Sequence, residues 1–92
     1  MASTPPRLRF SHGGQDFIVK SRATLDGVEV RGFWHSRATA RTRFFIAVPM
    51  EMIQDADRQG LTDPVGQALL IVRDEIIAAI DNGESLADGA QP

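Results

Sequence analysis

Residues 26–45, DGVEVRGFWHSRATARTRFF, concentrate the side chains of this chain that could bind an anion or stack on a flat ring. The stretch contains four arginines, a tryptophan, a histidine and three phenylalanines. Arginine pairs with phosphate and aromatic rings stack on bases in proteins that bind single-stranded nucleic acid. The solvated face of a small sheet can have the same composition, so the positions of these residues in the fold decide between the two interpretations.

The chain around Asp26-Gly27 has the pattern of a β-hairpin. Asp-Gly is a strong signal of a tight two-residue turn, and the segments on both sides alternate apolar and polar residues. A two-residue loop at Asp26-Gly27 places Trp34 on the core face of the hairpin. It also sets Arg22 directly opposite Arg31 on the outer face.

The outer face of this hairpin and the loop after it form a candidate nucleic-acid-binding surface. Its members are basic or aromatic: Lys20, Arg22, Arg31, Phe33, His35, Arg37, Arg41 and Arg43. Like charges directly opposite each other on two strands are unfavourable. We therefore expect the repulsion between Arg22 and Arg31 to be relieved by solvent and salt, by an acidic surface of a second chain, or by a phosphate group.

Residues 42–49, TRFFIAVP, form a further strand with apolar side chains on both faces. Such a strand is usually central in its sheet, or its second face is covered by a helix or a neighbouring chain. Phe45 lies on the second face, and Leu70 and Ile77 fall outside the main apolar stripe of the last helix. We therefore predict a homodimer or another protein partner, with Phe45, Leu70 and Ile77 as candidate self-association residues.

Two helices follow this strand. Pro49 begins a short one, for which Gly60 is the expected terminator, and Asp63-Pro64 begins a long one that Asn82-Gly83 ends. The long helix has an apolar stripe about 120° wide. Its residues are Val65, Ala68, Leu69, Val72, Ile76, Ala79 and Ile80. This stripe is expected to cover the core face of the hairpin.

These elements predict the α+β class: an antiparallel β-meander of three or four strands, with a short helix and a long C-terminal helix packed on one face. Residues 1–6 are expected to be disordered, residues 7–83 to form a single domain and residues 84–92 to form a flexible polar tail.

Composition excludes several classes of protein. Ninety-two residues suffice for one core, and the absence of cysteine excludes disulfides, thiolate metal sites and cysteine nucleophiles. The first ten residues contain no apolar signal segment, and no apolar run approaches the roughly 20 residues of a membrane span. We therefore expect a cytoplasmic protein without membrane contact. Nine of the ten basic residues are arginine, which suggests a bacterial source.

Side chains that could carry catalysis or bind a metal are few and scattered. His12 precedes Gly13-Gly14 but no nucleophile motif accompanies it, and His35 has no second ligand nearby in sequence. Glu51 and Asp55 are four residues apart on a helix, as a solvated acidic face would be. We expect no enzyme activity and no catalytic, cofactor-binding or metal site.

Three segments resemble a family of short uncharacterised bacterial proteins, a domain of unknown function. They are LDGVEV at 25–30, IAVPMEMI at 46–53 and VRDEIIAAIDNG at 72–83. The resemblance spans roughly residues 17–83 and implies a similar fold. It implies no activity and no catalytic residue.

Charge divides the chain into two parts. Residues 7–43 have eight basic residues against three acidic ones, whereas residues 44–92 have two against nine. Two surfaces with different partners would produce this division, as would association between opposite charges. The first hypothesis is a non-catalytic regulatory or adaptor protein that acts through protein–protein contacts. The alternative is a nucleic-acid-binding protein that uses the basic sheet face and the arginine-rich loop.

Overall fold

The computed structural model of the protein describes residues 5–37, 39–60 and 63–87. Its elements, in chain order, are β1 (Arg7–His12), β2 (Gln15–Thr24), β3 (Gly27–Trp34), β4 (Arg41–Pro49), α1 (Met50–Gln59) and α2 (Pro64–Asp81). The four strands form one antiparallel sheet in the order β1-β2-β3-β4. The predicted α+β class and the antiparallel meander are confirmed.

β4 is an edge strand, so of the two alternatives for a strand with two apolar faces the central position is excluded and the covered second face is left. A meander places its last strand at an edge, and β4 pairs only with β3 over most of its length. Phe44 and Val48 point to the buried face, whereas Phe45 is exposed on the other. The second face of β4 is therefore apolar, and no helix among the described residues covers it.

The register of the β2–β3 hairpin differs by two residues from the predicted one. Thr24 pairs with Gly27, so Leu25-Asp26 forms the loop in place of Asp26-Gly27. A Cβ on Gly27 would lie 2.1 Å from the carbonyl oxygen of Val48. Gly27 is thus required inside β3, where β4 passes closely. A shift of two residues leaves the side chains of both strands on their predicted faces, because the side-chain period of a strand is two. Leu25, expected on the core face, instead lies in the loop and is fully exposed.

The core lies between the sheet and α2, as the apolar stripe predicts. Six stripe residues from Val65 to Ala79 are buried, and Ile80 is partly buried against the core. Gly32 lets α2 approach β3, because a Cβ there would lie 2.6 Å from Cδ1 of Ile76. Phe17 and Val19 of β2 are completely buried beneath the helix.

The ends of both helices lie where the sequence predicts them. Gly60 ends α1 in the left-handed conformation with φ 66°. The Asp63 side chain accepts a hydrogen bond from the Val65 N–H at 3.0 Å, and Asn82 caps the other end of α2. Capping groups of this kind satisfy backbone donors and acceptors that a helix end leaves without intrahelical partners.

Trp34 is on the core face, as predicted, but it is only half-buried at the end of β3. Its ring packs at a tilt against Phe17, with 6.2 Å between ring centroids. The indole Nε1–H donates to Oε1 of Gln15 at 3.0 Å. The two-residue register shift explains this position, because it pairs Trp34 with Phe17 near the end of the hairpin instead of with Val19.

Residues 84–87 pack on the beginning of β4, which differs from the flexible tail expected at 84–92. Leu86 is 7% exposed and belongs to the core cluster. The Arg43 N–H donates to the Leu86 carbonyl at 3.0 Å, and Ala87 bridges Thr42. The remaining residues 88–92, and residues 1–4 of the expected N-terminal disordered segment, lie outside the described residues.

Within the described ranges, no helix has both the length and the apolar character needed to cross a membrane.

Candidate functional site

A hollow of about 320 Å³ lies on the sheet face that α2 does not cover. We call this face of the sheet the outer face. The hollow is lined by Lys20, Ser21, Arg22, Glu29, Arg31, Phe33 and Arg41. Five of the eight predicted nucleic-acid-binding residues are thus brought together around one depression.

A bulge in β4 brings Arg41 to this hollow. Arg31 pairs with Phe45 and Phe33 pairs with Arg41, so three residues of β4 lie opposite Gly32 alone. The bulge leaves the Phe44 N–H without a ladder partner, and this group donates to Oγ1 of Thr42 at 3.2 Å. Nothing in the local sequence signals the bulge, so the position of Arg41 beside Phe33 could not be predicted.

Glu29 is the acidic residue of the hollow, and sequence reasoning missed it. The predicted pairing of Arg22 with Arg31 is wrong, because Arg22 lies opposite Glu29. Nη2 of Arg22 is 3.4 Å from Oε1 of Glu29, and Nε of Arg31 is 3.9 Å from the same oxygen. Cross-strand charge complementarity was the available signal, since a two-residue shift replaces a like-charge pair with an opposite-charge pair.

Two aromatic rings lie on the outer face beside basic side chains. Nζ of Lys20 is 4.9 Å from the centroid of the Phe33 ring, and Cζ of Arg31 is 4.4 Å from that of Phe45. Both distances are within the range of cation–π attraction. Phe45 remains 51% exposed. The face therefore presents aromatic rings and positive charges side by side.

The basic residues of the hollow differ in accessibility. The Arg31 side chain is 11% exposed, and its Nη1 donates to the Thr42 carbonyl at 3.2 Å, within the bulge. The Arg22 side chain is 75% exposed. Arg31 is therefore part of the sheet structure, whereas Arg22 is available to a ligand from solvent.

The other three predicted residues lie away from the hollow. His35 and Arg37 are exposed in the turn after β3. Arg43 lies at the bulge, where its guanidinium binds the Glu84 carboxylate at 2.8 Å and the Ser85 carbonyl at 2.9 Å. Arg43 therefore anchors residues 84–87, which is a role that the sequence does not indicate.

A second candidate surface is an apolar groove of about 750 Å³ along the open edge of β4, between α1 and α2. Its apolar walls include Ile46, Val48, Met52, Ala56, Ala68 and Ile71, and the carboxylates of Glu51 and Asp55 also line it. Met52 and Ile71 are about half exposed. We call this surface the β4 groove.

Beside this groove, alternate backbone N–H groups of β4 point away from β3. The Met50 N–H donates to Asp26 on the β3 side, whereas the Arg43 N–H donates away from β3 to Leu86. Backbone groups of alternate residues point to the same edge of a strand. The N–H groups of Phe45 and Ala47 therefore point away from β3, toward the groove edge.

The three predicted self-association residues are not brought together. Phe45 is on the outer face of β4, whereas Leu70 lines a separate depression with Arg7 and Leu8 near β1. Ile77 is half-buried on α2. Met52 and Ile71, which sequence reasoning missed, are the exposed apolar residues beside the β4 edge. Their prediction would have required knowledge of which side of α2 faces that edge.

Acidic and histidine side chains do not form a metal-binding group in the part of the chain that the structure describes. Asp55 pairs with Arg58 on the same helix, and Nε2 of His12 lies 2.7 Å from a carboxylate oxygen of Asp81. The acidic residues of α1 are Glu51, Asp55 and Asp57, and all three are exposed.

Comparisons with protein-family models, curated proteins and solved structures find no match to this chain. The resemblance to short uncharacterised bacterial proteins stays a prediction, and the two surfaces are interpreted from their own geometry.

Proposed function

We propose that the protein is a non-catalytic regulatory or adaptor protein that acts through protein–protein contacts, and that it works as a homodimer joined along β4. The observation that carries this proposal is the open β4 edge, which is continuous with the apolar β4 groove. A strand edge of this kind accepts a further strand through backbone hydrogen bonds, and an adjacent groove accepts its apolar neighbours.

The two edges of the sheet differ in a way that favours association through β4. β1 is six residues long and has Arg7 and Arg9 on its exposed side. Charged side chains on short edge strands discourage pairing with another chain. β4 is nine residues long and has no charged residue from Phe44 to Val48. The protein thus protects one edge against pairing, whereas no described residue pairs with the other edge from Phe44 to Val48.

A second copy of this chain fits the β4 edge by symmetry. Antiparallel pairing about a two-fold axis at Ile46 sets Phe45 opposite Ala47 of the second copy, where the outward-facing N–H groups of both strands find partners. The helices of the two copies then lie side by side, and they cover Met52 and Ile71. The dimer has a continuous eight-stranded sheet with both outer faces on one side.

Two adjacent residues of α2 provide the test, because Ile71 lines the β4 groove and Leu70 does not. They are 47% and 40% exposed, so a lysine at either position has similar access to solvent. In sedimentation velocity we expect a wild-type dimer, a monomeric Ile71→Lys variant and a dimeric Leu70→Lys variant. A monomeric wild-type protein at high concentration contradicts the dimer. If Leu70→Lys dissociates the dimer and Ile71→Lys does not, the interface lies on the other side of α2.

Nucleic-acid binding through the outer face is a second candidate function. It is favoured by the grouping of Lys20, Arg22, Arg31 and Arg41 around one hollow, beside two aromatic rings. Phosphate contacts make the logarithm of the binding constant fall linearly with the logarithm of salt concentration. Retention of the protein on an oligonucleotide column at low salt, with release as salt rises, tests this function.

A further inference from the structure

We infer that the outer face is a stacking platform for single-stranded nucleic acid, on which Phe33 and Phe45 hold neighbouring bases while Lys20, Arg22 and Arg41 bind phosphates. This inference rests on the second candidate function above and names its ligand as a single strand. Its basis is the arrangement of charges and rings on the face that α2 leaves uncovered.

The charge of the outer face is complementary to a phosphodiester backbone. By the register, Arg7, Lys20 and Arg31 lie opposite one another on β1, β2 and β3. With Arg9, Arg22 and Arg41, the described outer face has six basic residues around its centre. Asp16 and Glu29 are the acidic residues among them. A row of cations across three strands is unfavourable in isolation and is stabilised by bound anions.

The two rings are placed where successive bases of one strand can reach them. Phe45 lies opposite Arg31, and Phe33 is two residues further along β3, so the rings are diagonal neighbours on adjacent strands. Lys20 lies against the Phe33 ring and Arg31 against the Phe45 ring. An unstacked base can cover the remaining exposed surface of each ring.

A single strand fits this face better than a duplex does. Aromatic side chains stack on bases that are splayed out of a helix, and paired bases are not available to them. The basic side chains alone would also attract other polyanions. The aromatic contribution is what separates a platform for bases from a generally basic surface, so the decisive residue for the test is Phe33.

The experiment measures fluorescence anisotropy of labelled 12-nucleotide poly-U and poly-dT with the full chain at two salt concentrations. Loss of one base stack lowers affinity by about 5- to 140-fold. We expect Phe33→Leu to bind more weakly by this factor, with no change in the slope of the logarithm of affinity against the logarithm of salt concentration. Phe33→Tyr should bind with an affinity near that of the wild type. Arg22→Gln should reduce the slope by about 0.7, the contribution of one phosphate on a single strand. Arg58→Gln, on α1 and outside the hollow, is the matched control and should leave both values unchanged.

The outcomes separate this inference from the function on which it rests. Equal affinity of Phe33→Leu and wild type, with steep salt dependence, retains nucleic-acid binding and refutes base stacking. Tighter binding of a duplex of the same length, or of heparin, refutes the single-strand ligand. Absence of binding to every probe at low salt refutes both. Circular dichroism of each variant confirms that the sheet is intact.

Discussion

Arg31 shows how one side chain can hold several parts of the sheet together. Its guanidinium donates to the Thr42 carbonyl within the bulge, lies over the Phe45 ring and approaches Glu29. Lysine could supply the charge but not the planar group that makes several contacts at once. The residue therefore links β3 to β4 at the point where their regular pairing is interrupted.

We predict that Arg31→Met lowers the free energy of unfolding by about 1.5–3 kcal/mol, the range for a hydrogen bond to a charged group. The Thr42 carbonyl loses its charged donor in this variant. Arg22→Met is the control on the same face, and its exposed ion pair predicts a change of about 0–1 kcal/mol. Urea unfolding measures both variants. Equal effects would mean that Arg31 has no special role at the bulge.

Gly27 and Gly14 allow a test of the close approach between β3 and β4. Both have positive φ, but a Cβ on Gly14 meets no atom within 4 Å, whereas one on Gly27 meets backbone atoms. Gly27→Ala should therefore destabilise the protein more than Gly14→Ala, and by more than about 1 kcal/mol. Thermal unfolding measures the difference. Similar losses of stability in the two variants would mean that the positive φ alone, and not the contact with β4, accounts for the effect of Gly27→Ala.

At the scale of elements, the segment at 84–87 acts as a short extension of the sheet. Its contact with Thr42 and its buried Leu86 cover the beginning of β4, whose remaining edge is open. Arg43 holds the segment through Glu84 and Ser85. Among the described residues, this segment therefore covers the β4 edge at Thr42 and Arg43.

Leu86→Ala is predicted to lower the free energy of unfolding by about 2–5 kcal/mol, as for other buried leucines. Leu25→Ala provides the control, because Leu25 is fully exposed in the β2–β3 loop and should change stability little. Chemical denaturation of the two variants gives the comparison. A flexible tail at 84–87 would make the two substitutions equally mild.

The sequence predicts the elements of this fold well because its strongest signals are local. The caps at Asp63, Gly60 and Asn82 and the apolar stripe of α2 each depend on neighbouring residues alone. The hairpin register was predicted wrongly, because the constraint on Gly27 comes from Val48, about twenty residues away in the chain, and the opposite charges of Arg22 and Glu29 were the only local signal. The hollow was predicted in part, because the two-residue shift retained the faces of the strands but gave Arg22 the partner Glu29 in place of the predicted Arg31.

At the scale of the whole molecule, positive charge is collected on the outer face and acidic residues on the helical side. Arg7, Lys20 and Arg31 repel one another across three strands. Exposed charges are screened by salt at distances beyond the Debye length, which falls from about 30 Å at 0.01 M to about 8 Å at 0.15 M ionic strength. A change in ionic strength over this range should therefore change the repulsion among all the basic residues of the outer face.

We predict that the thermal midpoint rises between these two ionic strengths, and that Lys20→Gln reduces the rise, because it removes the middle charge of the row. At the lower ionic strength, Lys20→Gln should raise the free energy of unfolding above that of the wild type by a few tenths to about 1 kcal/mol. Differential scanning calorimetry in sodium chloride measures the change. Arg58→Gln, whose partner Asp55 is on the same helix, should retain the wild-type salt response. A midpoint that falls with salt in the wild type would contradict net repulsion.

The docking of Leu86 has a consequence for synthesis on the ribosome. Leu86 packs into a core whose other members, from Phe17 to Ala79, precede it in the chain. Domains generally fold as units as they emerge during translation. When the sheet and α2 have assembled but residues 84–87 have not yet docked, the beginning of β4 is uncovered. In that intermediate the nascent protein exposes a longer strand edge than the folded structure does, so neighbouring nascent chains on one messenger would be exposed to each other at that edge.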